Sequence, residues 1–79
     1  MEKSVAVVAI IISDTSAIEQ VNTLLSSFRD DIIGRMGIPH QHGLNLISIA
    51  IEATKERINS LSGKLGMIKG VTSKVLIAK

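Results

Sequence analysis

The run Val5-Ala6-Val7-Val8-Ala9-Ile10-Ile11-Ile12 constrains this chain more than any other stretch. It is β-branched or small throughout and apolar at both parities, so a strand made from it carries a hydrophobic row on each side of its sheet. Such a segment is expected as a central strand covered on both faces rather than one with a wet face.

The rest of the chain arranges itself around that strand. Ser13-Asp14-Thr15-Ser16 ends it, and Ser16 with Glu19 has the spacing of a capping box, with Asp14 as a competing N-cap one turn earlier. Ala17, Ile18, Val21, Leu24, Leu25 and Phe28 then recur at three- and four-residue steps, the apolar stripe of a helix lying on the sheet. Asp30 and Asp31 are poorly placed against the negative end of a helix dipole, which predicts a stop before them. Ile32 to Ile38 reads as a second strand containing Gly34 and Gly37, ended at Pro39 or running along an edge. The stretch Arg35 to Gly43 then gathers glycines, the proline and both histidines into a turn. Leu44 to Ile51 forms the third strand, apolar on both sides like the first. Thr54 caps a second helix striped by Ile58, Leu61 and Leu65 and closed near Lys64 and Gly66. Val71 to Ala78 is the last strand, where Lys74 marks an edge or an interface rim.

The predicted order is therefore β-α-β-β-α-β over a single domain, residues 1–79. Right-handed crossovers put both helices on one face, giving an α+β ferredoxin-like sandwich with a four-stranded antiparallel sheet. At 79 residues with no cysteine, the chain has a modest core and no disulfide or thiolate metal site to brace it. Burial of the helix-free face in a homodimer or homotetramer is the expected remedy.

Composition narrows the function classes. A formal charge of +2 with dispersed lysines and arginines is a weak footprint for nucleic acid, and Phe28, the sole aromatic, leaves no base-stacking platform. Val5 to Ile12 is too short to cross a bilayer and no cleavage site follows it, so a soluble cytoplasmic protein is expected. No cysteine nucleophile exists, and no serine can be tied by spacing to a histidine and a carboxylate. Gly34-Arg35-Met36-Gly37 and Gly63-Lys64-Leu65-Gly66 each lack the rest of a phosphate loop. The expectation is a non-enzymatic domain with no cofactor.

Three places invite a ligand. Ser13, Asp14, Thr15 and Ser16 lie between a strand and a helix N-terminus, where backbone amides and hydroxyls can hold a small polar molecule, although plain helix capping uses the same residues. Arg35, Met36 and Gly37, with His40 and His42, form a distinctive surface candidate. His40 and His42 point the same way if their segment is extended and could supply two nitrogens, whereas zinc sites take three or four protein ligands.

Ile33-Gly34-Arg35-Met36-Gly37-Ile38-Pro39, Gly43, Ile47-Ser48, Leu61-Ser62-Gly63-Lys64-Leu65-Gly66 and Gly70-Val71 together resemble the iron-only hydrogenase system regulator family over nearly the whole chain. That family is similar to ACT-like domains and to the C-terminal domain of nickel-responsive regulators. The resemblance implies a βαββαβ sandwich, homodimers or homotetramers through sheet faces or edges, and regulation by a small ligand or metal, so that a transcriptional regulator acting through a small-molecule effector or a protein partner is expected. No ribbon-helix-helix segment precedes Val5, so contact with DNA is expected to need a partner or the chain's own surface. The nickel-regulator pattern has a His-x-His pair matched by His40 and His42. Its cysteine falls on Ser48 and its upstream histidine on Arg29, so the resemblance speaks for fold and assembly rather than nickel. The alternatives are an accessory interaction module without a ligand of its own, or an acylphosphatase-like enzyme, for which a phosphate loop with a paired asparagine is missing.

Overall fold

A computed structural model describes residues 2–78, with the side chains of His40 and Gln41 outside the described set. The elements are β1 (Ser4–Ile12), a 3-10 turn (Thr15–Ala17), α1 (Ile18–Ser27), β2 (Ile32–Gln41), β3 (Leu44–Ala53), α2 (Lys55–Gly66) and β4 (Val71–Ile77). The four strands form one sheet in the order β2-β3-β1-β4, every neighbouring pair antiparallel. This is the ferredoxin-like, ACT-like arrangement: β1 to β2 and β3 to β4 each cross over through a helix.

Alternation along β1 organises the packing. Ala6, Val8, Ile10 and Ile12 are buried and meet Val21 and Leu25 of α1 and Ile58, Leu61 and Leu65 of α2 in one core with Ile49, Ile51 and Phe28. The opposite parity is left without a helix. Val5, Val7 and Ile11 are each 42–45% exposed, and Met36 and Leu76 reach 63% and 74%. Both parities of β1 are apolar, as its composition requires, but within one chain only one of them is covered.

Local chemistry explains the element ends. Asp14, not Ser16, caps the first helical turn: its Oδ1 accepts from the Ser16 amide at 3.0 Å and from the Ser16 hydroxyl at 2.7 Å. With its hydroxyl committed to Asp14, Ser16 starts no capping box. Thr54 Oγ1 accepts from the Arg57 amide at 3.2 Å and caps α2. Where α1 ends, Arg57 lies 4.8 Å over the Phe28 ring and donates Nε to Asp31 Oδ2 at 2.7 Å. This tie joins the two helices across the surface and, being half open to solvent, contributes less than about 1 kcal/mol.

The central hairpin differs from its expected form. β2 runs on through Pro39 to Gln41, so the proline lies in the strand and the turn consists of His42 and Gly43 alone. Both have positive φ, 53° and 78°, which is the mirror-image geometry that a two-residue hairpin needs to match strand twist. Pro39 is tolerated because β2 is an edge strand and the pairing is irregular between Ile38 and Gln41. A second irregularity, between Ile32 and Gly34, leaves Ile33 as an extra residue and turns the edge.

Gly70 fastens β4 to the start of the first crossover. Its carbonyl accepts both the Ser13 amide at 2.8 Å and the Ser13 hydroxyl at 3.2 Å. It sits at φ 84°, and a Cβ there would overlap that of Asp14. Gly63 is the opposite case, a solvent-facing helical glycine with open space around it. Urea denaturation is therefore expected to show Gly70→Ala destabilised by at least about 1–2 kcal/mol and Gly63→Ala stabilised by about 0.5–1 kcal/mol; equal effects of one sign contradict the assignment of these two roles.

Candidate functional site

The sheet alternation divides the residues singled out in the sequence. Arg35 pairs with buried Ile49 and Gly37 with Ile47, placing both on the helix side of β2. Met36 pairs with Ser48 and belongs to the open face, where it borders a shallow apolar depression of about 260 Å³ with Ala9, Ile11, Ile38 and Leu46. Consecutive residues of a strand point to opposite sides. Arg35, Met36 and Gly37 therefore contribute to two surfaces.

Arg35 and Gly37 line a cleft of about 200 Å³ between α1 and the edge of the sheet. Ile12, Ile18 and Ile47 supply apolar walls, and Asn22 faces Arg35 across the opening, its Oδ1 accepting from Arg35 Nη2 at 2.7 Å. Asn22 lies outside the apolar stripe read from the sequence, and its four-residue spacing from Ile18, which puts both on one side of α1, is the signal that could have found it. A Cβ on Gly37 would have its nearest neighbour at 3.8 Å, the Leu46 carbonyl, so the glycine leaves open a volume that a side chain would occupy.

Ser13 to Ser16 adjoin this cleft in sequence without lining it. Ser13 is bound to Gly70, and Asp14 to Ser16; Thr15 borders a separate shallow groove along α1. The hydrogen bonds from the Ser16 hydroxyl and amide hold the Asp14 carboxyl below the ordinary aspartate pKa, with a smaller pull from the charge of Lys69.

His42 occupies the hairpin turn in a left-handed conformation, so the extended backbone that would align it with His40 stops at Gln41. The side chain of His40 lies outside the described residues. Among those described, no group of three or more His, Cys, Asp or Glu side chains is gathered as a metal would need. Nor is any helix among them long and apolar enough to cross a membrane. Asp31 is committed to Arg57.

The family described as "TM1266-like: Iron-only hydrogenase system regulator, putative" matches residues 4–75. The solved structure of the uncharacterized protein TM1266 from Thermotoga maritima is 35% identical, with a TM-score of 0.93 over 99% of this chain and 100% of that one. The ACT domain of GTP pyrophosphokinase from Chlorobium tepidum is 21% identical, with a TM-score of 0.80 over 94% of this chain and 99% of that one. The C-terminal domain of the MgtC protein from Mycobacterium tuberculosis is 11% identical, with a TM-score of 0.75 over 95% of this chain and 87% of that one. The last two likenesses concern the fold alone. No curated protein matches.

The Asp14 cap carries a pH signature. A carboxylate with a depressed folded-state pKa contributes stability that is fully present above its unfolded value and is lost as pH falls through the folded one. The stability difference between the native chain and Asp14→Asn, measured by urea denaturation across pH, is expected to be present at neutral pH and to shrink in acid below the ordinary aspartate range. A difference that ignores pH contradicts the ionised cap.

Proposed function

Because the chain belongs to the TM1266-like family of iron-only hydrogenase system regulators, we propose that it is a non-enzymatic regulatory domain that self-associates through its open sheet face and responds to a small ligand. The observation that carries this reading is the row Val5, Val7 and Ile11 with Met36, Ile38 and Leu76, large apolar side chains exposed together on the face without helices. Water against such a patch is unfavourable by roughly 25 cal/mol per Å² of apolar surface.

A second copy of the chain is the occupant that this face fits. Four strands about 4.8 Å apart and seven residues long at about 3.4 Å each give a flat footprint of roughly 450 Å² per copy. With side-chain relief added, two such faces reach the lower end of specific interfaces, about 1,200 Å² in total. The charges on the face are also self-complementary. Glu52 lies beside Val5 on β3 and Lys74 beside Ala9 on β4, so strand geometry separates them by roughly 17 Å, too far to pair within one chain. A twofold axis lying along the face midway between the two positions would set each against its opposite on the other copy, twice over.

In this reading the candidates divide their labour. Met36 belongs to the assembly face, while Arg35 and Gly37 belong to the cleft beneath α1, where a ligand bears on the edge strand that the two surfaces share. Ser13 to Ser16 frame the entrance of the crossover. Sedimentation equilibrium at about 10 μM is expected to give a multiple of the 8.4 kDa chain mass, and Val7→Asp, a change on an exposed position, to give the single-chain mass with unchanged circular dichroism. A native chain that sediments at 8.4 kDa under these conditions overturns the assembly.

A further inference from the structure

The cleft between α1 and β2 combines an apolar interior with one uncompensated positive charge. Arg35 is oriented by Asn22 at 2.7 Å, but an amide oxygen is neutral and engages only one of the five guanidinium N–H donors. Among the described residues no carboxylate stands within ion-pair distance of Arg35; the ion pair of Arg57 with Asp31 lies elsewhere. The guanidinium is thus held at the exposed mouth of an apolar cleft with no carboxylate beside it among the described residues.

The walls define what can answer it. Ile12, Ile18 and Ile47 offer aliphatic contact, and the missing side chain of Gly37 opens the space. Among the described residues no Asp or Glu lines the cleft, so an ammonium group would find no anionic acceptor there and would be repelled by Arg35. The cleft, about 200 Å³ and open to solvent, admits a small molecule and not a macromolecular segment.

We propose that this cleft binds a short aliphatic carboxylate lacking an amino group, with the carboxylate on Arg35 and the tail among Ile12, Ile18 and Ile47. An ionised acceptor makes a stronger hydrogen bond to a guanidinium than a neutral one, and its two oxygens match the fork of donors. The role of such a molecule as a signal rests on the regulatory reading above; its binding does not require the assembly.

The test is a nitrogen-15 NMR titration of the full chain with sodium 3-methylbutanoate at constant ionic strength, with 3-methylbutanamide and leucine as comparison ligands. Saturable shifts at Ile12, Ile18, Asn22 and Gly37 are expected, with a dissociation constant on the order of 1 mM. Binding should weaken at least tenfold in Arg35→Gln. It should weaken equally in Gly37→Val, a change that the strand accepts because its Cβ meets only ordinary contact distances. Absence of saturable shifts, equal affinity for the amide or for leucine, or unchanged binding in either folded variant overturns the proposal. Sedimentation of the same samples separates the two readings: a single-chain mass with carboxylate still bound supports the cleft while contradicting the assembly.

Discussion

The structure depends on one constraint: a single sheet whose two middle strands are hydrophobic on both sides, with helices available for only one. β1 buries Ala6, Val8, Ile10 and Ile12 completely and leaves Val5, Val7 and Ile11 nearly half in water. β3 repeats the pattern with Ile49 and Ile51 inside and Leu46, Ser48 and Ala50 on the other parity. The two right-handed crossovers decide which side receives the helices. What remains is a face whose chemistry resembles an interior more than a surface.

A small core places weight on the polar ties around it. Ser13 and Gly70 join the start of the first crossover to the end of the second, Asp14 shapes the first helical turn, and Arg57 bridges Asp31 and Phe28 where α1 gives way to β2. Each of these accounts for a polar group that sequence reasoning could equally have given to a ligand. Arg35 is different, because its partner Asn22 orients it without cancelling its charge. The edge strand that carries Arg35 toward the helices carries Met36 toward the open face, so a ligand and a partner copy would act on adjacent residues.

Element order, the central place of β1 and the helix stripes were legible in the sequence because they follow from hydrophobic period alone. The edge position of β4 was legible from Lys74, a charge in the middle of a strand. Less was legible at the hairpin. The left-handed pair His42-Gly43 closes it in two residues, a far shorter turn than Arg35 to Gly43; of the two expectations for Pro39 the edge strand is the one realised, because no neighbour on the outer side asks for its N–H. The cleft was half legible: Arg35 and Gly37 stood out, but Asn22 and Ile18 join them only through the crossover that lays α1 beside β2, a long-range pairing that no local spacing encodes. The separation of Met36 from its two neighbours follows from strand alternation within Ile32 to Ile38, a segment whose strand character was legible in the sequence.

The central claim is that the helix-free side of β1 lies against another copy of the same chain. Isotope-filtered NOE spectroscopy on a mixture of carbon-13-labelled and unlabelled protein measures this directly, since only contacts between copies survive the filter. The account predicts intermolecular NOEs from the methyl groups of Val5, Val7 and Ile11 to aliphatic side chains of the open face, and none from the core methyls of Val8 or Leu61. Filtered spectra empty at the open-face methyls, or intermolecular contacts confined to the outer surface of the helices, would contradict it.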